Sequence, residues 1–463
     1  MSERRVVTTS GSARTLDDSQ IDRFAAGLRG DLLRPGGAAY DAARRVWNGM
    51  IDRRPAMIAR CAGAADVIAS VRFGREHDML VSVRGGGHNV AGNAVCDGGL
   101  MIDLSPMKSV RVNPARLTAR ADPGVLWGEF DRETQAFGLA TTGGMISTTG
   151  IAGLTLGGGQ GWLASKYGFA IDNLLSVDII TADGDLLSAS ATDNEDLFWA
   201  LRGAGHNFGV VTSFEYRLHR VGPVLGGMVI HPFARAGELL RFYRDFTAAP
   251  PDELTTSAGI LTGPDGNLVA AVVVCFTGAL QEGERVLAPL RRFGSAIGDT
   301  IAPCSYTAMQ TLLDGAFPPG RLNYWRSSLM DRISDEAIGA LVDFAARMPS
   351  PLSVIVINDY HGAYRRVGKT ETAYYHRDLQ YDVIILANWT DGTDSERNIG
   401  WTRSLYQALQ PHMTGGVYVN DLDRDEGVER VKHAYGENYR RLVTLKAKFD
   451  PTNFFRMNQN IRG

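Results

Sequence analysis

Residues 142–161 read TGGMISTTGIAGLTLGGGQG, and residues 83–89, at the end of the short apolar run Leu80–Val83, read VRGGGHN. Eight glycines fall within Gly143–Gly161, more than tight turns alone require. Glycine lets a backbone approach a ligand closely and adopt φ > 0. Successive exposed N–H groups in such a loop form concavities suited to a diphosphate. Ser147, Thr148 and Thr149 add hydroxyl groups among them. The two stretches therefore read as two halves of a cofactor cradle.

Neither common nucleotide fold supplies that cradle. A dinucleotide fingerprint needs G-x-G-x-x-G after a strand and at the opening of a helix. The nearest match, Gly203-Ala204-Gly205-His206-Asn207-Phe208-Gly209, follows a predicted helix and precedes a predicted strand, and its last glycine stands one position late. No GxxxxGK[ST] phosphate loop occurs.

Composition narrows the classes further. The 463 residues are 44% hydrophobic and 21% charged, a globular balance with room for two large or three smaller domains. A formal net charge of -3 argues against a nucleic-acid partner. Cys61, Cys96, Cys275 and Cys304 lack CxxC spacing, so no zinc ribbon or disulfide framework is expected. The nine histidines form no HxxxH or His-Cys grouping, and no metal is expected. Arg4-Arg5 has no apolar run behind it, and no stretch reaches the ~18 apolar residues of a membrane span. No membrane partner is expected, and the expected location is the cytoplasm.

Along the chain, residues 1–40 are polar and Gly-rich and read as a partly loose extension. Helical spacing covers Ala64–His77, and strand patterns cover Leu100–Leu104, Val110–Val112, Leu175–Thr181 and Phe208–Leu218. Asp183-Gly184 marks a hairpin turn. After Val221-Gly222-Pro223 the texture changes. Strands at Gly226–His231, Leu268–Phe276, Val354–Asn358 and Val383–Trp389 alternate with helices at Ala236–Phe246 and Glu282–Phe293. That pattern predicts a sheet backed by helices, an α+β unit. A helical tail over Val428–Lys448 ends at Asp450-Pro451.

The ordered set of motifs resembles the berberine-bridge-like branch of the vanillyl-alcohol-oxidase superfamily, and looks most like its bacterial members. Arg84-Gly85-Gly86-Gly87-His88-Asn89 is similar to its flavin-attachment motif. Thr142–Gly161, Tyr167-Gly168, Asp172-Asn173-Leu174, Asp196–Gly205 and Asn207–Thr212 follow in order. Tyr418-Val419-Asn420, Tyr435–Tyr439 and Phe449–Phe455 close the series. The resemblance covers residues 40 to 463. It implies an α+β architecture: a two-lobed PCMH-type FAD-binding domain (41–220, rejoined by 416–463) with an inserted antiparallel-sheet-plus-helices substrate domain (221–415). It also implies an FAD-linked oxidase that takes a hydride from an alcohol, amine or sugar-like small molecule onto flavin N5 and reduces O₂ to hydrogen peroxide. A dehydrogenase with another acceptor and a non-catalytic binding protein on the same fold are the alternatives. Substrate identity and oligomeric state have no signal here.

Carried over residue by residue, the resemblance implies FAD attached covalently through His88. Further cofactor contacts fall at Val83, Arg84, Gly85, Gly86, Gly87, Asn89, Gly124, Gly143, Gly144, Ser147, Thr148, Gly150, Gly153, Leu154, Gly157, Gly158 and Gly161. Asn173, Asn207, Gly209, Val210, Tyr418, Asn420 and Asn458 complete the set. Where some members place a second, cysteinyl link, this chain has Ile146, so a single bond is expected. Cys96 reads as a small buried residue, and Leu154 replaces a histidine found in one branch. Substrate oxidation usually needs a base for an adjacent O–H or N–H. Tyr418 is the first candidate, with Asn358 and Asp359 next. Strand alternation puts Asn358 with Tyr360 on one face and Asp359 with His361 on the other, so only one pair can face the pocket. Tyr374, Trp325 and Trp389 are candidate aromatic walls, and His376-Arg377 reads as structural.

Overall fold

The computed structural model describes residues 3–462. Three sheets carry the architecture. The first has four strands in the order Asp31–Leu33, Met57–Arg60, Leu100–Asp103, Val81–Arg84. Its last three strands run parallel, joined through the helix Ala64–Glu76. Met57, Ile58, Ala59, Leu100, Met101 and Ile102 are all fully buried, as strands covered on both faces are. The second sheet is an antiparallel five-strand unit ordered Leu186–Ser190, Leu174–Ile180, Val210–Arg217, Thr118–Ala121, Val110–Asn113. The expected Asp-Gly turn links Leu174–Ile180 to Leu186–Ser190, with Gly184 at φ 77° and Thr181 N–H donating to Asp185 O.

Residues 3–33 correct the expectation of a loose start, of which residues 1 and 2 lie outside the described residues. A hairpin, Glu3–Val7 with Ala13–Asp17, leads into the helix Asp18–Ala26, capped by Asp17 and Gln20. Val6, Leu16, Ile21 and Phe24 enter the core of the first sheet, and Phe24 stacks on Phe73 at 4.2 Å. A polar segment with one apolar residue every few positions hides that stripe from a composition reading.

The third sheet is antiparallel and spans Val224–Pro232 to Tyr381–Trp389 in sequence. Its order is Gly298–Asp299, Val224–Pro232, Leu268–Phe276, Leu254–Thr262, Val354–Asp359, Tyr381–Trp389, Leu322–Met330, with Ala302–Cys304 also pairing Val224–Pro232. The strand period of two divides its side chains cleanly. Ala258, Ile260, Val272, Ile355, Ile357, Val383 and Ile385 meet four helices, Ala236–Phe246, Leu280–Arg292, Asp335–Ala345 and Ser395–Leu409. The alternate residues face the other way, toward the first two sheets. The strands Leu254–Thr262 and Leu322–Met330 and the last two helices carry no sharp sequence signal. Their apolar residues interleave with serine, threonine and glycine.

The chain then returns. Residues 417–461 pack Val417, Val419, Leu422, Tyr435, Leu442 and Ile461 onto the second sheet, while Phe454 and Phe455 join the core of the first. The expected single tail helix is two, Val428–Tyr435 and Tyr439–Phe449, broken at Gly436 with φ 49°. Buried Lys446 fastens this return. Its Nζ donates to Asn207 O (2.7 Å), Phe455 O (3.0 Å) and Asp450 Oδ2 (2.7 Å). Asp450 in turn accepts the N–H groups of Phe454 and Phe455. Lys446→Met leaves the Asp450 carboxylate buried without its cation. It should lower unfolding stability by about 3–5 kcal/mol in a urea titration, and an unchanged midpoint would show that the knot is not a fastening point.

Candidate active site

The strand Val81–Arg84 runs straight into the loop 85–89. Its N–H groups from Gly85 to Asn89 donate to no protein acceptor among the described residues. Five adjacent unmet donors are rare in a folded chain and ask for an external acceptor. The loop crosses the second glycine segment at Gly86 and Gly150, where a Cβ on Gly86 would lie 2.6 Å from Gly150 Cα. Only two glycines allow the backbones this close. Beneath the crossing opens a cavity of about 400 Å³, whose lining runs from Val81, Val210 and Phe455 past the loop to the third sheet.

His88 sits in that lining beside Trp47. The rings stack at 4.5 Å and 17°, and His88 Nε2 is buried with no hydrogen-bond partner. Burial pushes the His88 pKa down to about 4, so the imidazole is neutral near pH 7. Trp47 is held by Nε1 donating to Phe317 O (3.0 Å) and by its N–H donating to Gly87 O (3.0 Å). No sequence motif pointed to Trp47, because its partner lies 41 positions away.

Of the expected cofactor positions, Val83, Gly85, Gly86, Gly87, His88, Asn89, Gly144, Gly150, Gly153, Leu154, Gly209, Val210, Tyr418, Asn420 and Asn458 line the cavity, as do Ile146 and Thr149. The others support it from outside. Arg84 makes a two-point contact with buried Asp103 (2.9 and 2.8 Å) and donates to Ala43 O, anchoring the segment that carries Trp47. Gly124 fills a turn against Leu104 O and Met107 O. Gly143 and Gly161 lie against each other, and Gly143 also faces Trp127. Ser147 donates to Asp314, and Thr148 is exposed. Gly157 and Gly158 make room for Asn420 and the Tyr418 ring. Asn173 donates to Tyr167 O and Phe169 O, and Asn207 accepts the N–H of Ile461. These ten positions lie outside the cavity lining. Motif matching cannot separate a residue that faces a ligand from one that holds the loop.

Tyr418 is buried, and its hydroxyl accepts from Gly159 N–H (2.7 Å) and Asn420 Nδ2 (2.7 Å). Burial drives its pKa up despite these donors. That shift favours the protonated phenol in the free protein. Alternation is resolved in favour of Asn358, which lines the cavity and accepts from Ser257 Oγ at 2.9 Å. Asp359 faces the helical side, accepting from Gln380 Nε2 (2.9 Å) and pairing with His361 Nδ1 (2.5 Å). Trp325 lines the cavity, whereas Tyr374 and Trp389 are core residues. His376 bonds His433 O, and Arg377 pairs with Asp172, both structural as read.

Two carboxylates escaped the sequence reading. Asp382 is fully buried, sits opposite Asn358 in the strand register and accepts from Tyr360 OH at 2.9 Å. Asp421, one residue past the Tyr-x-Asn motif, lines the cavity next to it. Burial raises both, Asp382 to about 7, and their mutual repulsion raises Asp421 further. The available signal was a single acid inside the apolar run Tyr381–Trp389, since an unpaired charge inside a strand is costly without a purpose. Among the described residues, no three His, Cys, Asp or Glu side chains are grouped to hold a metal, and no helix is long and apolar enough to cross a membrane.

The chain matches the family model described as FAD binding domain over residues 55–190 and the model described as Berberine and berberine like over residues 417–462. It is 35% identical to (R)-6-hydroxynicotine oxidase of Paenarthrobacter nicotinovorans, covering 94% of this chain and 97% of that protein. An FAD-linked oxidoreductase of Dictyostelium discoideum is 29% identical, with 96% of each chain covered. Among solved structures, 6-hydroxy-D-nicotine oxidase from Arthrobacter nicotinovorans superposes with a TM-score of 0.86 at 32% identity, over 94% of this chain and 98% of that one. A chitooligosaccharide oxidase matches at a TM-score of 0.86, 24% identity and 96% and 99% coverage, which speaks to the fold alone. Both glycine loops lie within the stretch matched as FAD binding domain.

The Asp382 carboxyl gives a pH signature. Its folded pKa of about 7 lies above the ordinary 3.8, so the unfolded chain releases the proton first as pH rises. Its contribution to stability is complete below the ordinary value and is lost as pH climbs to about 7. Melting temperatures of wild type and Asp382→Asn between pH 4 and 8 should show the variant gaining on wild type across that window. A constant difference would mean the carboxyl is ionised in the folded protein.

Proposed function

The chain belongs to the berberine and berberine-like family of FAD-linked oxidoreductases, and from that premise we propose an oxidase carrying FAD on a single covalent bond from His88. The observation that supports this reading is the run of five acceptor-free N–H groups around a neutral imidazole whose Nε2 has no partner. In this reading residues 41–220 and 416–463 hold the cofactor, and residues 221–415 hold a small-molecule substrate. When bound, FAD accepts a hydride at N5 from an alcohol, amine or sugar-like carbon and passes the electrons to O₂, giving hydrogen peroxide.

The protein's own groups divide the remaining work. The amides of Gly85–Asn89 offset the anionic charge of the cofactor's phosphates. Trp47 covers His88 and keeps the imidazole neutral, so a ring nitrogen retains the lone pair that bond formation needs. Ile146 offers no nucleophile for a second link. Tyr418, with two acceptor sites already used, directs its own proton toward substrate or cofactor. Asn358 orients the substrate at the sheet face, and the Asp382 carboxyl, raised to about 7 beside Asp421, takes up a proton released during oxidation.

Acid precipitation tests the bond. The wild-type pellet should stay yellow, and His88→Ala should give a white pellet with any flavin in the supernatant. A white wild-type pellet from a yellow protein would sink the covalent link while leaving FAD in place. Peroxide release in air, compared with reduction of an artificial dye, separates an oxidase from a dehydrogenase. Turnover with dye and no peroxide would overturn the oxidase assignment.

A further inference from the structure

The loop Gly144–Ser147 reaches the cavity held largely by side chains of another unit. Met145 and Ile146 line the cavity, bracketed by Gly144 and Ser147. Gly144 O accepts from Nε2 of buried Gln310. Ser147 donates twice to Asp314, its N–H to Oδ1 (2.8 Å) and its hydroxyl to Oδ2 (2.6 Å). Gln310 and Asp314 both lie on the stretch between the third-sheet strands Ala302–Cys304 and Leu322–Met330. The loop's own half adds Gly128 N–H on Ser147 O (2.8 Å) and a turn from Thr149 N–H to Ile146 O (3.1 Å).

The stretch that supplies those ties is itself a wall of the cavity, through Leu313, Ala316 and Phe317. Its backbone bonds are local. The N–H groups of Leu312, Asp314, Ala316 and Phe317 each donate to the carbonyl three residues back. Among the described residues, 311–317 join no sheet. The polar bonds holding this wall to the flavin-binding half are therefore Gln310 on Gly144, Asp314 on Ser147, and Phe317 O accepting from Trp47 Nε1 (3.0 Å). An element with local backbone bonds and few outside ties opens at lower free energy than the sheets it connects. Asp314 makes the strongest of these ties, since a carboxylate takes two charge-assisted bonds from one residue.

We propose that residues 311–317 are a latch on the flavin cavity and that Asp314 closes it, acting as a positioning residue that sets Gly144–Ser147, and with it Met145 and Ile146, against the bound cofactor. With the clamp closed, the inserted unit takes part in holding FAD. With Ser147 released, the loop and the wall loosen together and a way out for the cofactor opens. This rests on the placement of FAD in this cavity and is independent of the substrate's identity.

The test measures FAD release in a His88→Ala background, where the cofactor is free to leave, by the rise in FAD fluorescence on dilution of the loaded protein. Asp314→Ala should speed release at least about tenfold, the scale of losing a hydrogen-bonded carboxylate. Adding Ser147→Ala to it should give no further acceleration, because both remove one clamp. Thr311→Ala, an exposed change in the same stretch, should release FAD at the parent rate. Where Asp314→Ala is not folded by circular dichroism, Asp314→Asn carries the same comparison. Where His88→Ala takes up no FAD, the variants are made with His88 in place, and apoprotein from riboflavin-starved cells should gain acid-stable flavin about tenfold more slowly. A smaller change, effects of Asp314→Ala and Ser147→Ala that multiply in the double variant, or an equal effect of Thr311→Ala overturns the proposal. A white acid pellet from yellow wild-type protein overturns the covalent bond instead and leaves the release rates to judge the latch, whereas wild type that binds no FAD overturns both.

Discussion

Everything at this site depends on two backbones passing closer than side chains allow. Gly86 and Gly150 meet with no space for a Cβ on either. That contact brings the loop leaving the parallel sheet against the segment leading into the helix Ile151–Gly157. The Gly85–Asn89 amides of that loop meet no protein acceptor among the described residues. Gly143, Gly157 and Gly158 let Trp127, Asn420 and Tyr418 pack close to the same segment.

The second constraint is the strand period. In the third sheet one set of residues supplies the core under four helices and the alternate set supplies the cavity wall. One strand therefore does two jobs with no change in composition, and a shift of a single residue exchanges them. Asn358 and Asp359 show the consequence. They are neighbours in sequence, yet one faces the cavity and the other is locked to His361 and Gln380 on the far side.

Electrostatics follows from burial more than from net charge. His88 is held neutral, Tyr418 is held protonated, and Asp382 and Asp421 are driven upward, all mainly because water is excluded. The cations of the region are used elsewhere: Arg84 on Asp103, Arg377 on Asp172, and Arg326 on Asp425. The protein spends its basic side chains on architecture and leaves the cavity to backbone amides and carboxyls.

Local order made much of this legible in the residues alone. The glycine clusters, His88, Tyr418-x-Asn420, the helix at Ala64–Glu76 and the strand Leu268–Phe276 announce themselves because their signals are contiguous. The family motifs, in order, pointed to the fold and the flavin for the same reason. Contacts between distant segments were not legible. Trp47 over His88, the hairpin of residues 3–17 in the first core, and the choice of Asn358 over Asp359 all depend on which surfaces meet. Asp382 and Asp421 stand 39 positions apart, and each alone looks like an ordinary acid. The sequence by itself determined the cradle, since a glycine run needs no partner to declare its freedom. Only the tertiary structure decided which side chains surround the substrate, because burial and proximity are properties of the packed molecule and not of any residue in it.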